Sequence, residues 1–464
     1  MSRFSWTSAR VADALGVPAA GREPRTYSGI STDTRTLRPG ELFVALCGEQ
    51  FDGLEFVARA AQAGAPGAVV ERRPQGVPDD FELFVVDDAL HGLGRLAAVR
   101  RQALNPTVVA ITGSSGKTTT RELTVAALGA GAYASPGNYN NLVGLPLSML
   151  AAPEGSRIWV LELASNQPGE IEQLARIAEP DYAVITSVSE GHLEGLGDLQ
   201  GVMEEKLALL SNLRAGGRAL VCDEPAELAR QARQRLSDVR TVGLSEAAEV
   251  RPESWSVSPD GIAWRWCGVD FRLAGYGTHL IGDALFALAV VQLLGVDARQ
   301  AAQRLAMVKP LPMRGELRQL GDLTLLVDCY NANPASFRAA LDSLSALAAG
   351  RRRAVLAGTM LELGEQSLAL HERVARWIAD EGIELIAATG EFTAGFAGLE
   401  DELGERLIRA GELEVAYREL SARLRGDEVV LIKASRAMKF ERAIPLFERD
   451  FGGKGQLRIS GTHG

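Results

Sequence analysis

The sequence has few cysteines and no long hydrophobic run. Its four cysteines stand at positions 47, 222, 267 and 329 and are never paired as CxxC. This spacing gives no metal-ligand pattern and is typical of a reducing cytosol. The longest apolar stretch, from Ala284 to Val296, is too short to cross a bilayer, so it predicts a buried helix.

Positive charge is also scarce. Lys and Arg number 49 against 59 Asp and Glu, so the formal net charge is −10 at pH 7. Nucleic acid demands clustered Lys and Arg along its phosphates, so we exclude it as the main partner, whereas a small anionic ligand needs only a few local cations. The chain opens on Met-Ser-Arg-Phe-Ser-Trp without an apolar signal segment. We therefore expect a soluble, cytoplasmic protein without membrane insertion, and we expect it to be a monomer.

The length and texture of the chain predict three α/β domains. A chain of 464 residues is too long for one hydrophobic core. Proline-containing breaks at Asn105-Pro106 and at Lys309 to Pro312 divide it into residues 1–105, 106–311 and 312–464. In the central part, short apolar runs alternate with helical patterns, which predicts a mostly parallel sheet flanked by helices. A small N-terminal α/β domain precedes it, and a Rossmann-like α/β domain follows.

A glycine-rich loop stands between a predicted strand, Val108 to Thr112, and a predicted helix, Arg121 to Leu128. The loop consists of Gly113, Ser114, Ser115, Gly116, Lys117, Thr118 and Thr119. Glycines let backbone N–H groups turn inward, the helix start adds positive potential, and the lysine reaches the outer phosphates. The threonine that follows the lysine has the hydroxyl position that ligates Mg²⁺. This loop predicts an ATP-using enzyme.

The loop is a shortened form of the usual phosphate-binding motif. The full Walker spacing requires a glycine where Ile111 stands. The alternative interpretation is a Gly-Ser turn followed by an exposed lysine. The order of strand, loop and helix favours a phosphate cradle.

Two polar residues follow strands of the predicted central sheet. Glu162 comes after the strand Ile158 to Leu161, and His192 lies just after the strand Tyr182 to Thr186. Ligands of doubly wound sheets sit beyond the carboxyl ends of the strands, so both side chains are expected near the loop as metal ligands or general bases. Taken singly, Glu162 could equally be structural, and His192 a plain loop histidine. Lys206 resembles a solvated helix residue, because a cation is a poor neighbour for a metal.

The ordered set of motifs resembles the Mur ligases, the family that builds the peptide of peptidoglycan. The similarity covers nearly the whole chain, and the set is specific although no single segment is. The segments are Ser31 to Arg35, Gly40 to Leu46, Phe51 to Gly53, Ile111 to Thr120, Asn140 to Pro146, Glu162 to Ile171, His192 to Gly195 and Tyr330 to Ser336.

The resemblance implies a reaction. A substrate carboxylate attacks the γ-phosphate of ATP to give an acyl phosphate, an amine then attacks that carbonyl, and phosphate leaves. The Asn-Gln-Pro-Gly and Tyr-Asn-Ala-Asn-Pro segments favour the member that joins D-alanyl-D-alanine to UDP-N-acetylmuramoyl-tripeptide. Two alternatives stay open. One is another ligase of this architecture, acting on the muramoyl peptide or on folate, and the other is a P-loop ATPase switch without ligase chemistry.

The resemblance also implies catalytic roles. Lys117 and Thr118 would hold the phosphates and a first Mg²⁺, with Glu162 nearby, and His192 matches a ligand of a second Mg²⁺. Lys206 aligns with a lysine that reacts with CO₂. The resulting carbamate is an anion that can support a metal.

Further residues are implied to contact the nucleotide or the substrate. Arg314 matches an arginine that reaches ATP from the third domain, and the other implied ATP contacts are Asn141, His279, Asp283, Asp328, Tyr330, Asn331 and Asn333. The implied substrate contacts are Ser31, Thr32, Asp33, Arg35, Asp52, Lys433 and Arg436. Without the family, Arg314, Lys433 and Arg436 could be solvated cations. Asp283 stands where the family usually has Asn, and we expect it to accept a hydrogen bond from the adenine amino group.

Overall fold

A computed structural model describes residues 4–18, 24–48, 52–258 and 261–453, so Phe51 of the N-terminal motif lies outside it. Within these ranges three larger sheets follow one another along the chain, and the predicted α/β fold class is confirmed. The boundaries after residues 105 and 311 stay predictions.

The first sheet is small and parallel. Its strands, in spatial order, are Ile30–Ser31, Leu42–Val44, Gly67–Val70 and Glu82–Val85. An antiparallel pair accompanies it, formed by Trp6–Thr7 and Thr26–Tyr27. The helices of this region are Ser8–Leu15, the 3-10 helix Gly53–Phe56, Val57–Gln62 and Ala89–Leu104.

The central sheet has six strands, all parallel. In spatial order they are Val239–Val242, Arg218–Cys222, Tyr182–Ile185, Thr107–Thr112, Ile158–Glu162 and Ala132–Ala134. The strand Thr107–Thr112 pairs with Tyr182–Ile185 on one side and with Ile158–Glu162 on the other. Because parallel strands end at the same edge, the phosphate loop meets Glu162 there.

Helices and a separate antiparallel sheet complete the central region. The helices are Lys117–Leu128, Gly144–Ala151, Glu170–Ala178, Leu193–Leu196, Leu199–Leu207, the 3-10 helix Ala208–Asn212, Ala226–Arg235, His279–Leu293 and Ala298–Leu305. The predicted buried helix is confirmed, since residues 284–291 are at most 2% exposed. The strands of the small sheet are Ser254–Ser258, Gly261–Trp266 and Val269–Leu273.

The third sheet also has six strands, with one antiparallel edge. In spatial order they are Glu316–Leu320, Leu323–Val327, Val429–Lys433, Arg353–Ala357, Leu385–Ala388 and Leu407–Arg409. The α-helices of this region are Pro334–Ala348, Ser367–Asp380, Phe392–Gly395, Glu400–Leu403, Leu413–Ser421 and Ile444–Phe451. Its 3-10 helices are Gly364–Gln366, Gly404–Arg406, Arg436–Met438 and Phe440–Ala443.

The central and C-terminal regions share one apolar core. A single cluster of buried residues includes Val109 and Leu285 of the central region and Phe337 and Val355 of the C-terminal region. Among the described residues no helix is both long enough and apolar enough to span a membrane.

Candidate active site

A cavity lies between the carboxyl edge of the central sheet and the C-terminal region. It brings together most of the residues predicted to contact the nucleotide, although they are far apart in the sequence. The predicted residues that line it are Ser114 to Thr119, Glu162, His192, His279, Asp283, Arg314, Asp328, Tyr330, Asn331, Asn333 and Lys433.

Two glycines give the phosphate loop its shape. Gly113 has φ +150° and Gly116 has φ +80°, conformations that side chains disfavour. A Cβ on Gly113 would lie 2.1 Å from Thr186 Oγ1, and a Cβ on Gly116 would lie 2.3 Å from Asp283 Oδ1. The helix that follows begins at Lys117, and its first N–H groups have no acceptor within the helix. These groups are available to the oxygens of an anion.

Hydroxyl groups after the neighbouring strand hold the loop in place. Ser187 Oγ accepts from the Ser115 N–H at 2.8 Å, and Thr186 Oγ1 donates to the Ser115 carbonyl at 2.6 Å. Ser114 Oγ donates to the Ser189 carbonyl at 3.0 Å. These hydrogen bonds fix the shape of the loop, and a loop held in this way loses less entropy on binding.

A cation and a hydroxyl group stand at the start of the helix. Lys117 Nζ donates to the Gly113 carbonyl at 2.6 Å, so the side chain folds back across the loop. Burial lowers the pKa of Lys117, and the nearby charge of Glu162 opposes that shift. Thr118 Oγ1 donates to Glu162 Oε2 at 3.0 Å. An amine and a hydroxyl–carboxylate pair thus face one cavity.

Glu162 is a buried carboxylate that is bonded through both oxygens. It is 3% exposed, and its Oε1 accepts from Asn140 Nδ2 at 2.9 Å. Its Oε2 accepts from Thr118 and, at 3.2 Å, from Nη1 of Arg121, which is also 3% exposed. Arg121 is thus the buried counter-ion of Glu162. No sequence pattern singles it out, because an arginine within a helical pattern is ordinary.

The C-terminal region supplies a cation to the hydroxyl group of Thr118. Arg314 Nη2 donates to Thr118 Oγ1 at 3.1 Å, and its guanidinium lies 3.9 Å from the centroid of the Tyr330 ring. Stacking on the ring fixes the plane of the guanidinium while its N–H groups stay available. Thr118 is therefore contacted by Glu162 of the central region and by Arg314 of the C-terminal region.

Asp328 and Lys433 form an ion pair at the ends of two neighbouring strands. Lys433 is 1% exposed, and its Nζ donates to Asp328 Oδ2 at 2.6 Å and to the Asn331 carbonyl at 3.2 Å. The same ammonium lies 5.5 Å from the centroid of the Phe337 ring. The charge of Lys433 is therefore already matched within the protein.

Asn140 and Asn141 divide two roles between them. Asn141 does not line the cavity, and its Oδ1 accepts from the N–H groups of Val143 and Gly144 at 3.2 and 2.8 Å. It therefore supports the start of the helix Gly144–Ala151. Asn140, which the sequence patterns did not single out as a site residue, lines the cavity and binds Glu162.

Two other predicted residues also have structural partners. Asn333 lines the cavity, but its Oδ1 accepts from the Ser336 N–H at 2.8 Å and caps the helix that follows. Arg436 does not line the cavity and pairs with Glu441 at 2.9 Å.

Asp283 is buried against the phosphate loop. It is 8% exposed, and its Oδ1 accepts from Thr120 Oγ1 at 3.4 Å. Burial raises the pKa of Asp283 to about 7, although the charge of Arg314 opposes the shift. Its carboxyl group can therefore hold a proton near neutral pH, and can donate as well as accept a hydrogen bond.

The imidazole of His192 lies against the carboxylate of Glu362, a residue that no sequence pattern singled out. The contact joins His192 Nδ1 to a carboxylate oxygen of Glu362, and it lowers the pKa of Glu362. Because the pairing exists only in space, neither residue signals it in the sequence.

Lys206 is buried, and the interpretation of it as a solvated residue is wrong. It is 1% exposed, and its Nζ donates to Ser165 Oγ at 2.9 Å. Burial and, next, the charge of Lys117 lower the pKa of Lys206 to about 7. The face of the helix Leu199–Leu207 that carries Lys206 turns inward, which its polar sequence does not indicate.

The predicted substrate residues of the N-terminal region do not line this cavity. They are Ser31, Thr32, Asp33, Arg35 and Asp52. Arg35 Nη2 donates to Asp33 Oδ2 at 2.6 Å, and hydrogen bonds from Arg35 lower the pKa of Asp33 to about 2. Asp52 caps the 3-10 helix Gly53–Phe56 and pairs with Arg72.

Three domain models of one family match the chain in sequence order. The Mur ligase family catalytic domain matches residues 26–101, the Mur ligase middle domain matches residues 111–291, and the Mur ligase glutamate ligase domain matches residues 313–436.

Individual proteins are similar over almost the full chain. UDP-N-acetylmuramoyl-tripeptide–D-alanyl-D-alanine ligase of Bacillus subtilis is 33% identical over 430 residues, which cover 91% of this chain and 93% of that protein. A crystal structure of MurF from Acinetobacter baumannii matches with a TM-score of 0.86 at 28% identity, covering 96% of this chain and 99% of that chain. A MurF ligase structure from Thermotoga maritima in complex with ADP matches with a TM-score of 0.82 at 28% identity, covering 92% and 98%.

Proposed function

This chain belongs to the Mur ligase family, and within it we propose that the chain joins D-alanyl-D-alanine to UDP-N-acetylmuramoyl-tripeptide at the expense of ATP. The products are UDP-N-acetylmuramoyl-pentapeptide, ADP and phosphate, and the reaction serves peptidoglycan synthesis in the cytoplasm. The observation that carries the proposal is the convergence of the phosphate loop, Glu162 and Arg314 on one cavity. Similarity to the dipeptide-adding ligase over 91% of the chain supports the choice of substrates.

The phosphates of ATP lie along the loop in this proposal. Lys117 brings positive charge across the loop, and Arg314 brings positive charge to Thr118. Phosphoryl transfer spreads negative charge over the equatorial oxygens of the γ-phosphoryl group, so catalysis depends on positioning and on neutralising that charge. The two cations supply this without a nucleophilic side chain.

Mg²⁺ fits beside Thr118 and Glu162. Magnesium takes oxygen ligands and is usually held by one or two carboxylates together with substrate phosphates. The hydroxyl–carboxylate pair at 3.0 Å offers such ligands, and within the described ranges no group of three or more His, Cys, Asp or Glu forms a complete cage. When bound, Mg²⁺ polarises phosphate oxygens and neutralises their charge. His192, on another wall of the cavity, fits a second ion.

The reaction then proceeds in two displacements. A carboxylate oxygen of the tripeptide attacks the γ-phosphorus, and the bond from that phosphorus to the β–γ bridging oxygen breaks, which releases ADP. The amine of D-alanyl-D-alanine attacks the acyl carbon, the bond from that carbon to the phosphate oxygen breaks, and the nitrogen loses a proton to solvent. Because water would destroy the acyl phosphate, the C-terminal residues that line the cavity, among them Arg314 and Tyr330, serve in this proposal to shield the intermediate.

We assign Lys206 as the site of a carbamate. Its neutral amine attacks the carbon of CO₂, an N–C bond forms, and a proton is released, which converts a cation into an anion. The pKa of about 7 supports this, because a substantial share of the amine is neutral at physiological pH. Lys206→Ala should lose activity and regain part of it with added short-chain carboxylic acids. Full activity without any acid would contradict the assignment.

Substrate binding extends away from the cavity. We assign the uridine nucleotide to the N-terminal residues Ser31, Thr32, Asp33, Arg35 and Asp52. Both cations near the C-terminus have a partner, Lys433 in Asp328 and Arg436 in Glu441. Arg436 is the better candidate for the dipeptide carboxylate, because its side chain is 51% exposed whereas that of Lys433 is 1% exposed.

Phosphate release is the direct test of the function. The full-length chain is incubated with Mg²⁺, ATP and UDP-N-acetylmuramoyl-tripeptide, with and without D-alanyl-D-alanine, and the product is weighed by mass spectrometry. We expect phosphate release to require both substrates and Lys117→Met to abolish it. Phosphate release at the same rate with and without the dipeptide would favour a P-loop ATPase switch instead.

A further inference from the structure

The pair formed by His192 and Glu362 connects the cavity to a loop of the C-terminal region. Nδ1 of His192 lies in close contact with the Glu362 carboxylate, off the line of an ideal hydrogen bond. Among the described residues, no side-chain hydrogen bond involves the other ring nitrogen, Nε2. A carboxylate on one ring nitrogen fixes the N–H there and leaves the lone pair on the other nitrogen. The contact therefore selects the tautomer in which Nε2 is free to act as a ligand.

The loop that carries Glu362 is firmly held on its N-terminal side. The ring of His371, which is 0% exposed, accepts from the Met360 N–H through Nε2 at 3.0 Å. Ser435 Oγ accepts from the Leu361 N–H at 2.9 Å. The carboxylate is thus presented by a backbone that is tied at the two residues before it.

Backbone strain marks the same contact. His192 has φ +57° and Glu362 has φ +64°, and this left-handed conformation is unfavourable for a residue other than glycine. The Glu194 N–H donates to the Glu362 carbonyl at 3.1 Å, so the two strained turns are joined through their backbones. Such strain persists where the surrounding structure over-determines it, often at functional sites.

We propose that Glu362 is a positioning residue that orients the imidazole of His192, with Nε2 turned to the phosphate cavity. The inference rests on the proposed function, in which His192 is a metal ligand. It means that a residue of the C-terminal region completes a ligand on the central region. The imidazole of His192 is then oriented for metal binding only when the two regions are docked.

The ion pair of Arg373 with Glu190, across the same interface, provides a matched control. Arg373 pairs with Glu190, two residues before His192, and joins the same two regions without contacting the imidazole. If Glu362 served only to tie the regions together, removing the Arg373 side chain would have the same effect as removing that of Glu362.

The first readout does not need an active enzyme. Ring ¹⁵N signals are recorded for the full chain labelled at its five histidines, and His192→Gln identifies the signals of His192. We expect Glu362→Ala to change the share of the proton carried by each of the two ring nitrogens of His192. Glu362→Gln should keep it, because an amide oxygen still accepts from Nδ1–H, and Arg373→Gln should keep it as well.

The second readout is metal binding. Mn²⁺ is titrated into each variant in the presence of ADP and followed by electron paramagnetic resonance. Loss of an outer partner of a metal-binding histidine weakens binding by about 10- to 100-fold, and we expect this for Glu362→Ala and a smaller loss for Glu362→Asp. Thermal unfolding of each variant separates these effects from a folding defect, with Glu362→Asp and Glu362→Gln as the folded alternatives.

The outcomes are distinct. Unchanged ring signals and unchanged Mn²⁺ affinity in Glu362→Ala would overturn the proposal, as would equal losses in Arg373→Gln. Dipeptide-dependent phosphate release by the unsubstituted chain is measured alongside. Its absence would overturn the proposed function, while the ring signals would still decide whether Glu362 orients His192.

Discussion

Removing Arg121 would leave a buried charge on Glu162 without its counter-ion. Both side chains are 3% exposed, and Nη1 lies 3.2 Å from Oε2. Loss of one partner from a buried ion pair costs about 3–5 kcal/mol, because the remaining charge is neither hydrated nor paired. Asn140 and Thr118 still donate to the carboxylate, so we expect Arg121→Met to lower the free energy of unfolding by about 3 kcal/mol, the low end of that range.

A double-mutant cycle separates this pair from its surroundings. Arg121→Met, Glu162→Gln and the double variant are unfolded in urea and followed by intrinsic fluorescence, to which the fully buried Trp159 contributes. The double variant should be more stable than the sum of the single losses indicates, with a coupling of about 1–3 kcal/mol. Mg²⁺ with ADP should also restore part of the stability of Arg121→Met, because a cation returns to the carboxylate. Strict additivity would refute the reasoning.

Three further predictions concern the same wall of the cavity. Gly116→Ala should abolish ADP binding measured by calorimetry, because its φ is +80° and the new Cβ would meet Asp283 Oδ1 at 2.3 Å; ordinary affinity would contradict the close approach. The melting temperature of Asp283→Asn should rise above that of the wild type by a margin that grows between about pH 4 and pH 7 and is constant above that range. Burial raises the pKa of Asp283 to about 7, so the wild type loses stability as pH rises from the ordinary value of 3.8 through 7. Melting temperatures of the two proteins that change with pH in parallel would contradict this prediction. Asn141→Ala should lower stability by about 1 kcal/mol with ADP affinity intact, whereas Asn140→Ala should weaken binding of Mg²⁺ with ADP; the reverse pattern would contradict the division of roles.

The strands that position the site were predictable because they are buried on both faces. Val108 to Ile111 is a continuous apolar run that Thr112 follows, and the structure extends the predicted strand by only one residue. The short strand Ala132–Ala134 escaped prediction, since its three residues are half-buried at the edge of the sheet. The edge strand Glu316–Leu320 mixes charged and apolar residues and gives an equally weak signal.

The site itself was predictable only where its chemistry is local. The phosphate loop carries its own glycines and lysine, and Glu162 directly ends a strand. Arg121 and Glu362 gain their roles from partners that lie far along the chain, so nothing in their neighbourhood marks them. The burial of Lys206 depends on how a helix packs, which one polar stretch does not reveal.

Two side chains of the C-terminal region end on cavity residues of the central region, Arg314 on Thr118 and Glu362 on His192. Any displacement that separates the regions breaks both contacts together, so the guanidinium leaves the phosphate side at the moment when the imidazole loses its fixed orientation. In the proposed mechanism, the charges that phosphoryl transfer needs are therefore complete only when the two regions are docked. If docking also limits the access of water, the proposed acyl phosphate forms only where it is protected from hydrolysis. This coupling gives a physical reason for dividing one active site between two regions of the chain.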